Sequence, residues 1–398
     1  MTLAAPRPIF VIALVVALLI AYPILVNGYL PAQWPLDATD HAIGRDFVNL
    51  WGAGRLILDG QWPALFSKTS YLDGLHRVFH PSLAPHFWSY PPTNFFLAVP
   101  LALLPYAVSL AVWTLLGLGA MLWAAGIGLS TTQRHAVIVL LLIAPATFTN
   151  IISGQNGFFS AALLAGTFLL LDERPVIAGV LCGLLSLKPH LAIVAMPALL
   201  ALGAWRVIFW AGVTAVGVAL ASVTAFGWGP WQSFVLATVP AQGAMLKTFT
   251  GFFTTMVVSP YGMLRHLGLQ HDAAMAAQAV VSVATVAAAM IAVRRTQDAT
   301  LRLGFVAAAT FVASPYALTY DMPIIALVIA RFAVRDGETA WPAGLAGLYC
   351  AVLALPLAAP ALAFMKLPLA APLPALLFLS LAIPLLPLKQ NLATKTVS

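Results

Sequence analysis

Charged residues are scarce in this sequence. Asp, Glu, Lys and Arg make up only 8% of its 398 residues, whereas 62% are hydrophobic, and no polar segment is long enough to form the core of a soluble domain. The mean hydropathy is +0.96, and apolar stretches recur along nearly the whole chain. Inside a membrane every backbone N–H and C=O group must be hydrogen-bonded within the protein, so only helices and closed β-barrels span it. These stretches are too long for barrel strands. We therefore predict an all-α polytopic membrane protein.

Other absences narrow the chemistry. The two cysteines, Cys182 and Cys350, both lie in apolar stretches, which predicts buried free thiols rather than a disulfide or a metal pair. No zinc-protease, Walker, CxxC or glycine-rich dinucleotide motif is present. We expect no metal and no cofactor; the sequence leaves room for a divalent cation without indicating one. The net charge of +7 comes from residues scattered in short loops, which is a topology signal and not a sign of nucleic-acid binding.

About twelve segments are apolar enough to be candidate membrane crossings. Residues 9–27 could be a signal peptide, but the stretch is long and lacks a clear cleavage site, so we treat it as the first crossing. Reading 174–204 as one long helix would reverse the orientation of everything that follows. The candidates are 8–28, 106–128, 135–152, 157–171, 174–187, 190–204, 206–226, 272–293, 303–316, 319–333, 340–360 and 367–387.

If these segments cross the membrane in alternating directions, most of the charged residues fall on one face of the membrane. Arg134, the acidic-basic run 172–174, the basic run 294–302 and Arg331 fall together, and the positive-inside rule makes their side cytoplasmic. The polar motifs fall on the outer face instead, so we expect the functional site there. We predict one integral membrane domain, 1–398, in the cell (inner) membrane. Residues 29–105 form its outer loop with interfacial helices, and 106–388 form the transmembrane bundle.

The stretch "RDFVNLWGAGRLILDG", residues 45–60, follows the first crossing. Asp46 is a candidate general base, since a partly desolvated carboxylate becomes more basic; helix capping or an ion pair is the structural alternative. Asn49 shares its predicted helix face and is a cavity candidate, as is Arg55, whose simplest role is a salt bridge to Asp59. The small residues 52–54 permit close approach by another backbone or a ligand.

Lysine and histidine stand together in "SLKPHLAIV", residues 186–194, with apolar sequence on both sides. Ionisable groups at membrane depth are expensive and mark functional cavities. Lys188 and His190 suit a phosphate or pyrophosphate group, and the alternative is that Lys188 extends to the lipid headgroups. In "SGQNG", residues 153–157, a tight turn explains Asn156 well and Gln155 less well.

Two proline-containing motifs supply further candidates. In "HFWSYPPTNFFLAVPLALLP", residues 86–105, Trp88 fits an aromatic membrane belt, while Tyr90 and Asn94 are cavity candidates. The motif "SPYALTYD", residues 314–321, contributes Tyr316, Tyr320 and Asp321. Asp321 is either a second site carboxylate, the counter-ion of Lys188 or an arginine, or a helix cap.

In their order and spacing these motifs resemble glycosyltransferase family 87, over roughly residues 40–335. The most distinctive part runs from the GQNG turn to the KPH motif. The resemblance implies a GT-C fold and a donor that is a polyprenyl-phosphate-linked sugar, as for mannosyltransferases. It further implies that Asp46 is the catalytic carboxylate and that Lys188, with His190 and Gln155, holds the donor phosphate. The chain departs from the family pattern at "SPYALTYD", where relatives carry a tryptophan and histidines, which leaves the acceptor open.

The residues fit this chemistry. A sugar phosphodiester has a good leaving group, so the reaction needs a base for the acceptor hydroxyl and cations for the departing phosphate. We predict an inverting transfer of a hexose, mannose by resemblance, to a lipid or glycan acceptor at the outer face. The alternative is a transporter or flippase of a lipid-linked saccharide; the absence of a visible internal repeat argues against it.

Overall fold

The computed structural model describes residues 30–335 and 342–382. The candidate crossing 8–28 lies outside the described residues. Two short strands, β1 (Pro31–Gln33) and β2 (Leu36–Asp37), form an antiparallel pair. The helices are α1 (Phe47–Leu58), α2 (Lys68–Val78), α3 (Phe95–Ala102), α4 (Tyr106–Ala125), α5 (Thr131–Leu142), α6 (Pro145–Ser153), α7 (Gly157–Leu169), α8 (Pro175–Leu184), α9 (Ala195–Ala201), α10 (Trp205–Phe226), α11 (Gly229–Ser233), α12 (Val239–Thr248), α13 (Pro260–His266), α14 (His271–Arg294), α15 (Ala299–Ala313), α16 (Pro323–Arg335), α17 (Ala343–Phe364) and α18 (Pro372–Ala382).

Four of the described helices, α4, α10, α14 and α17, are long and apolar enough to cross a membrane. The pair α5 and α6, bent by 56°, makes a fifth if it is counted as one broken crossing. Large apolar side chains on these helices are exposed, among them Leu115, Phe209 and Val283. Exposed apolar helix faces of this length are the property expected of lipid-facing helices. The chain is therefore an all-α membrane protein, as predicted.

Prolines explain why several apolar segments are not single helices. The predicted segment 135–152 breaks before Pro145, because a proline disfavours helical backbone in the residue that precedes it. The stretch 174–204 is also interrupted: α8 gives way to short 3-10 turns at Leu185–Leu187 and Pro189–Ala192, with Lys188 in a non-helical conformation between them. The interpretation of this stretch as one long helix is wrong.

Helix α4 connects two polar ends of the molecule. At its first residue, the Tyr106 hydroxyl donates a 2.6 Å hydrogen bond to the carbonyl of Ile43, in the loop that leads to α1. At its last residue, the carbonyl of Ala125 accepts a 2.8 Å bond from the buried Arg331 guanidinium. Arg331 donates to a second carbonyl, that of Ile127, also at 2.8 Å.

Charged residues that the sequence assigns to the cytoplasmic side lie together at the Arg331 end of the helix bundle. Arg302 donates to Asp172 at 3.0 Å, and Arg335 pairs with Asp298. Three runs distant in sequence thus converge on one end of the helix bundle, as the charge pattern predicts.

Helices α7, α15 and α16 are buried on nearly every face and form the centre of the bundle. At the other end, α1 and α3 pack backbone to backbone. A Cβ at Gly54 would lie 2.1 Å from the Ala98 carbonyl oxygen, which confirms that the small residues of α1 permit close approach. Trp88 is 1% exposed and packs against Tyr90 and Phe95, so its assignment to an aromatic membrane belt is wrong. Both cysteines are free, as predicted, but only Cys182 is buried, whereas Cys350 is half-buried.

Candidate active site

A narrow pocket lies between the start of α1, the α6–α7 turn and the 3-10 turn before α3. It brings together residues from three separate motifs of the sequence, and Trp113 from outside them. Its lining residues are Asp46, Phe47, Leu50, Tyr90, Asn94, Trp113, Gly154, Gln155 and Asn156.

The backbone before α1 places Asp46 at the pocket. The chain turns sharply through Gly44 and Arg45, which have φ values of +83° and +42°. The Arg45 side chain holds this turn with an ion pair to Asp37 at 2.8 Å. The amide of Asp46 then donates to the carbonyl of Ser153 at 3.0 Å, which ties the start of α1 to the α6–α7 turn.

The Asp46 carboxylate serves neither of the two structural roles considered from the sequence. Asp46 occupies the N-cap position of α1, yet its side chain makes no capping hydrogen bond. No cationic side chain in residues 30–335 or 342–382 forms an ion pair with it. Instead, its Oδ2 accepts a 2.6 Å hydrogen bond from Nε2 of Gln155. Among the described residues, therefore, Asp46 neither caps α1 nor forms an ion pair, contrary to both structural interpretations.

The α6–α7 turn directs two neighbouring amide side chains to different partners. Gly154 ends α6 in the left-handed region, at φ +58°. Gln155 reaches Asp46, whereas Asn156, at the N-cap of α7, leaves the helix uncapped and accepts a 2.8 Å hydrogen bond from the Lys188 ammonium. Gly157 fits tightly, because a Cβ there would lie 2.2 Å from the carbonyl oxygen of Tyr320.

Lys188 is 8% exposed and lies in a buried polar cluster. Its ammonium pairs with Oδ1 of Asp321, whose side chain is fully buried. This confirms the counter-ion interpretation of Asp321, and it excludes extension of Lys188 to the lipid headgroups. Nε2 of His190 lies 3.8 Å from Oδ2 of the same carboxylate. Both of those atoms are buried and have no hydrogen-bond partner in the part of the chain that the structure describes, a costly arrangement that is uncommon in folded proteins.

Aromatic and amide side chains surround this cluster. The Lys188 ammonium lies 5.2 Å from the centroid of the Tyr320 ring, within range of a cation–π interaction. Asn94 is buried and donates to the Leu187 carbonyl at 3.2 Å. The Tyr90 hydroxyl donates a long, 3.4 Å hydrogen bond to Oε1 of Gln155. Burial, reinforced by the nearby carboxylates, raises the pKa of Tyr90 well above its usual value, so its hydroxyl stays a donor.

Five cavity candidates do not line the pocket. Tyr316, Tyr320 and Asp321 lie beside Lys188 and His190, and Asn49 and Arg55 are the other two. Asn49 is buried within α1, where its carbonyl and side-chain oxygens face the Tyr71 hydroxyl of α2 at 3.0 and 3.3 Å. Arg55 does not line the pocket, and no ion pair with Asp59 forms in the described part of the chain.

The structure adds residues that the sequence did not indicate. Trp113 lines the pocket from the middle of an apolar helix and donates to the Gly154 carbonyl at 3.1 Å; nothing in its local sequence marks it. The side-chain amide of Gln242, in α12, donates to the Ser89 carbonyl at 2.6 Å, and the backbone carbonyl of Gln242 accepts from the Tyr316 hydroxyl. A polar side chain isolated in an apolar segment was a usable signal for Gln242.

The described residues contain no group of three or more His, Cys, Asp or Glu side chains that could hold a metal ion. The cationic groups at the site are the side chains of Lys188 and, when protonated, His190.

The sequence from residue 88 to residue 315 matches the model of glycosyltransferase family 87. This match covers more than half of the chain and includes the α6–α7 turn and the Lys188 motif, while Asp46 and Asp321 lie on either side of it. No curated protein and no solved structure matches the chain.

Proposed function

This chain belongs to glycosyltransferase family 87, and we propose that it transfers mannose from a polyprenyl-phosphate donor to a lipid or glycan acceptor, inverting the anomeric centre. Membership of the family makes the chain a membrane glycosyltransferase and speaks against the transporter alternative. The sugar, the lipid carrier and the class of acceptor belong to the proposal.

We propose that the pocket end of the bundle faces the extracytoplasmic side of the cell (inner) membrane. The arginine-rich end then faces the cytoplasm, in accord with the positive-inside rule. Shorter apolar helices such as α7, α15 and α18 would add tilted or broken crossings, giving about twelve in a GT-C arrangement. The separation of charged and site residues to the two ends of α4 supports this orientation.

In the proposed reaction, Asp46 removes the proton from the acceptor hydroxyl as that oxygen attacks the anomeric carbon. The bond from that carbon to the phosphate oxygen breaks in the same step, and the polyprenyl phosphate leaves with the electron pair. Within the described residues Asp46 has no capping bond and no cationic partner, which supports this role, because a partner cation would make the carboxylate a weaker base.

Lys188 and His190 hold the donor phosphate in this proposal. An ammonium has three N–H donors, and the described residues occupy two of them through oxygen atoms of Asn156 and Asp321. The third is left for a phosphate oxygen. Nε2 of His190, which has no hydrogen-bond partner among the described residues, supplies a second donor to a phosphate oxygen when that nitrogen carries a proton.

One observation carries the proposal: Asp46 and Lys188 are hydrogen-bonded to adjacent residues, Gln155 and Asn156. A single displacement needs the base and the phosphate-binding cation on opposite sides of one sugar ring. The side-chain amides of Gln155 and Asn156 point to different partners, and so they hold the Asp46 carboxylate and the Lys188 ammonium apart within one site. The sugar would lie between them.

Transfer can be tested with purified protein, radiolabelled polyprenyl-phosphate mannose and a membrane lipid extract. We expect label to move to a product that survives mild acid, which hydrolyses the donor. Polyprenyl-phosphate glucose is the competing donor and tests the choice of sugar. If the intact protein labels nothing with either donor, the proposed polyprenyl-phosphate donor is wrong.

The role of Asp46 is tested by Asp46→Asn. We expect kcat to fall by about 10²–10⁴-fold, the usual contribution of a general base, with the KM for the donor within about twofold of wild type. Asp59→Asn is the matched control, since Asp59 is exposed just beyond the opposite end of α1. A normal transfer rate for Asp46→Asn would show that Asp46 is not the base.

A further inference from the structure

The side-chain amide of Gln155 is bonded at both of its ends. Its Nε2 donates to Asp46 Oδ2 at 2.6 Å, and its Oε1 accepts from the Tyr90 hydroxyl at 3.4 Å. The residue is 8% exposed. An ionised carboxylate only accepts hydrogen bonds, and a protonated phenol facing a carbonyl donates. The two partners therefore select the same orientation of the amide, and a flipped amide would set its carbonyl oxygen against the carboxylate.

We infer that Gln155 is a positioning residue for the carboxylate of Asp46 and not a ligand of the donor phosphate. This inference rests on the proposed function. Gln155 binds one carboxylate oxygen, Oδ2, and so presents the other, Oδ1, to the acceptor hydroxyl. Tyr90 fixes the far end of the same amide. A reactive group keeps its productive geometry when supporting hydrogen bonds lock its rotamer.

Electrostatics argue against phosphate binding by the same amide. A phosphate oxygen on Nε2 of Gln155 would lie close to the Asp46 carboxylate, which already accepts from that nitrogen at 2.6 Å. Two anions at such a separation in a poorly hydrated pocket repel each other strongly. Asn156 has no such conflict, because its side chain contacts the cationic Lys188.

A neutral amide is suited to hold a base. It donates a hydrogen bond to the ionised carboxylate without adding the full charge of an arginine or lysine, which would suppress the basicity of Asp46. The backbone around the amide is also constrained, by the left-handed Gly154 and by Trp113, whose indole N–H donates to the Gly154 carbonyl at 3.1 Å. The position of Gln155 is therefore set independently of its side-chain partners.

The test measures donor KM, kcat and the pH–rate profile of Gln155→Glu and Gln155→Ala. Glutamate keeps the shape but places a second carboxyl against Asp46, and two such groups share a proton. We expect Gln155→Glu to move the acidic limb of the profile to higher pH by about one unit or more. For Gln155→Ala we expect kcat to fall about tenfold or more, with donor KM within about twofold, because general-base catalysis depends on alignment.

Two further variants distinguish a positioning role of Gln155 from binding of the donor phosphate. Tyr90→Phe removes only the far hydrogen bond, and we expect a loss of about twofold to fivefold in kcat, comparable to one long, weak hydrogen bond. Asn156→Ala should instead raise donor KM, because it releases Lys188. If Gln155 binds phosphate, Gln155→Ala and Gln155→Glu will both raise donor KM strongly and leave the pH profile in place. That result would overturn the inference.

Failure of the proposed function gives a different result. An intact protein that transfers nothing from a polyprenyl-phosphate sugar refutes that donor. The inference about Gln155 is then still tested by infrared titration, with the carboxyl band of Asp46 assigned by Asp46→Asn. We expect that band to titrate at higher pH in Gln155→Ala than in the intact protein. An unchanged titration would overturn the inference whatever the donor.

Discussion

The buried pair of Lys188 and Asp321 provides the sharpest test of the site's electrostatics. The side chains are 10% and 0% exposed, so neither charge has much water to stabilise it when the other is removed. Breaking a buried ion pair from one side costs about 3–5 kcal/mol, because an uncompensated charge stays behind. We expect Lys188→Met and Asp321→Asn each to lower the free energy of unfolding by that amount near neutral pH.

The two variants should respond to pH in opposite directions. In Lys188→Met, the stranded carboxylate escapes the penalty by taking up a proton, so the loss of stability is larger at pH 8 than at pH 5. In Asp321→Asn, the stranded ammonium escapes by releasing a proton, so the loss grows as the pH falls. The double variant strands neither charge. We expect its loss of stability to stay below about 2 kcal/mol and to vary little with pH.

The measurement is the apparent midpoint of thermal unfolding in detergent, followed by the fluorescence of the 11 tryptophans between pH 5 and pH 8. Asp59→Asn is the control: Asp59 is exposed and forms no ion pair within the described residues, so we expect a change below about 1 kcal/mol. Single variants with the same direction of pH dependence would refute the reasoning, as would a double variant whose loss equals the sum of the two.

Two further predictions separate the site from the opposite end of the bundle. Gly157→Ala forces a Cβ to within 2.2 Å of the Tyr320 carbonyl oxygen; we expect about 1–3 kcal/mol of destabilisation and a raised donor KM. Gly119→Ala, with nothing within 4 Å, should leave both thermal unfolding and donor KM near wild type. Arg331→Met removes hydrogen bonds to the carbonyls of Ala125 and Ile127. We expect the free energy of unfolding to fall by about 2 kcal/mol or more and the unfolding midpoint to fall with it, and donor KM to stay unchanged. A raised donor KM for Arg331→Met would contradict the separation of the two ends.

The sequence predicted the long helices closely, for a physical reason. Residues 206–226 and 272–293 were expected to be helical, and the helices are Trp205–Phe226 and His271–Arg294. These segments are uniformly apolar and free of proline, so local pattern decides them. Prediction was poorer for 135–152, where Pro145 breaks the helix, and for 190–204, of which only Ala195–Ala201 is α-helical. Hydropathy alone does not show where such a break falls.

The site was predicted in part. Asp46, Lys188 and Asp321 stand out because charges are rare here, and a buried charge needs a partner. The contact between Asp46 and Gln155 joins residues 109 positions apart, and no local pattern encodes such a pairing. Asn49 was misplaced for the same reason, since its direction depends on α2 packing against α1 through Tyr71.

Helix α7 is buried along almost its whole length, and the residues that contact Asp46 and Lys188 immediately precede it. A rigid central rod of this kind cannot adapt to differently shaped acceptors. Sequence changes that alter the choice of acceptor would instead fall on the periphery, for example on α12, where Gln242 is hydrogen-bonded to Ser89 and Tyr316. Exchanging that outer segment between homologues would therefore test whether it selects the acceptor while the residues around Asp46 and Lys188 stay unchanged.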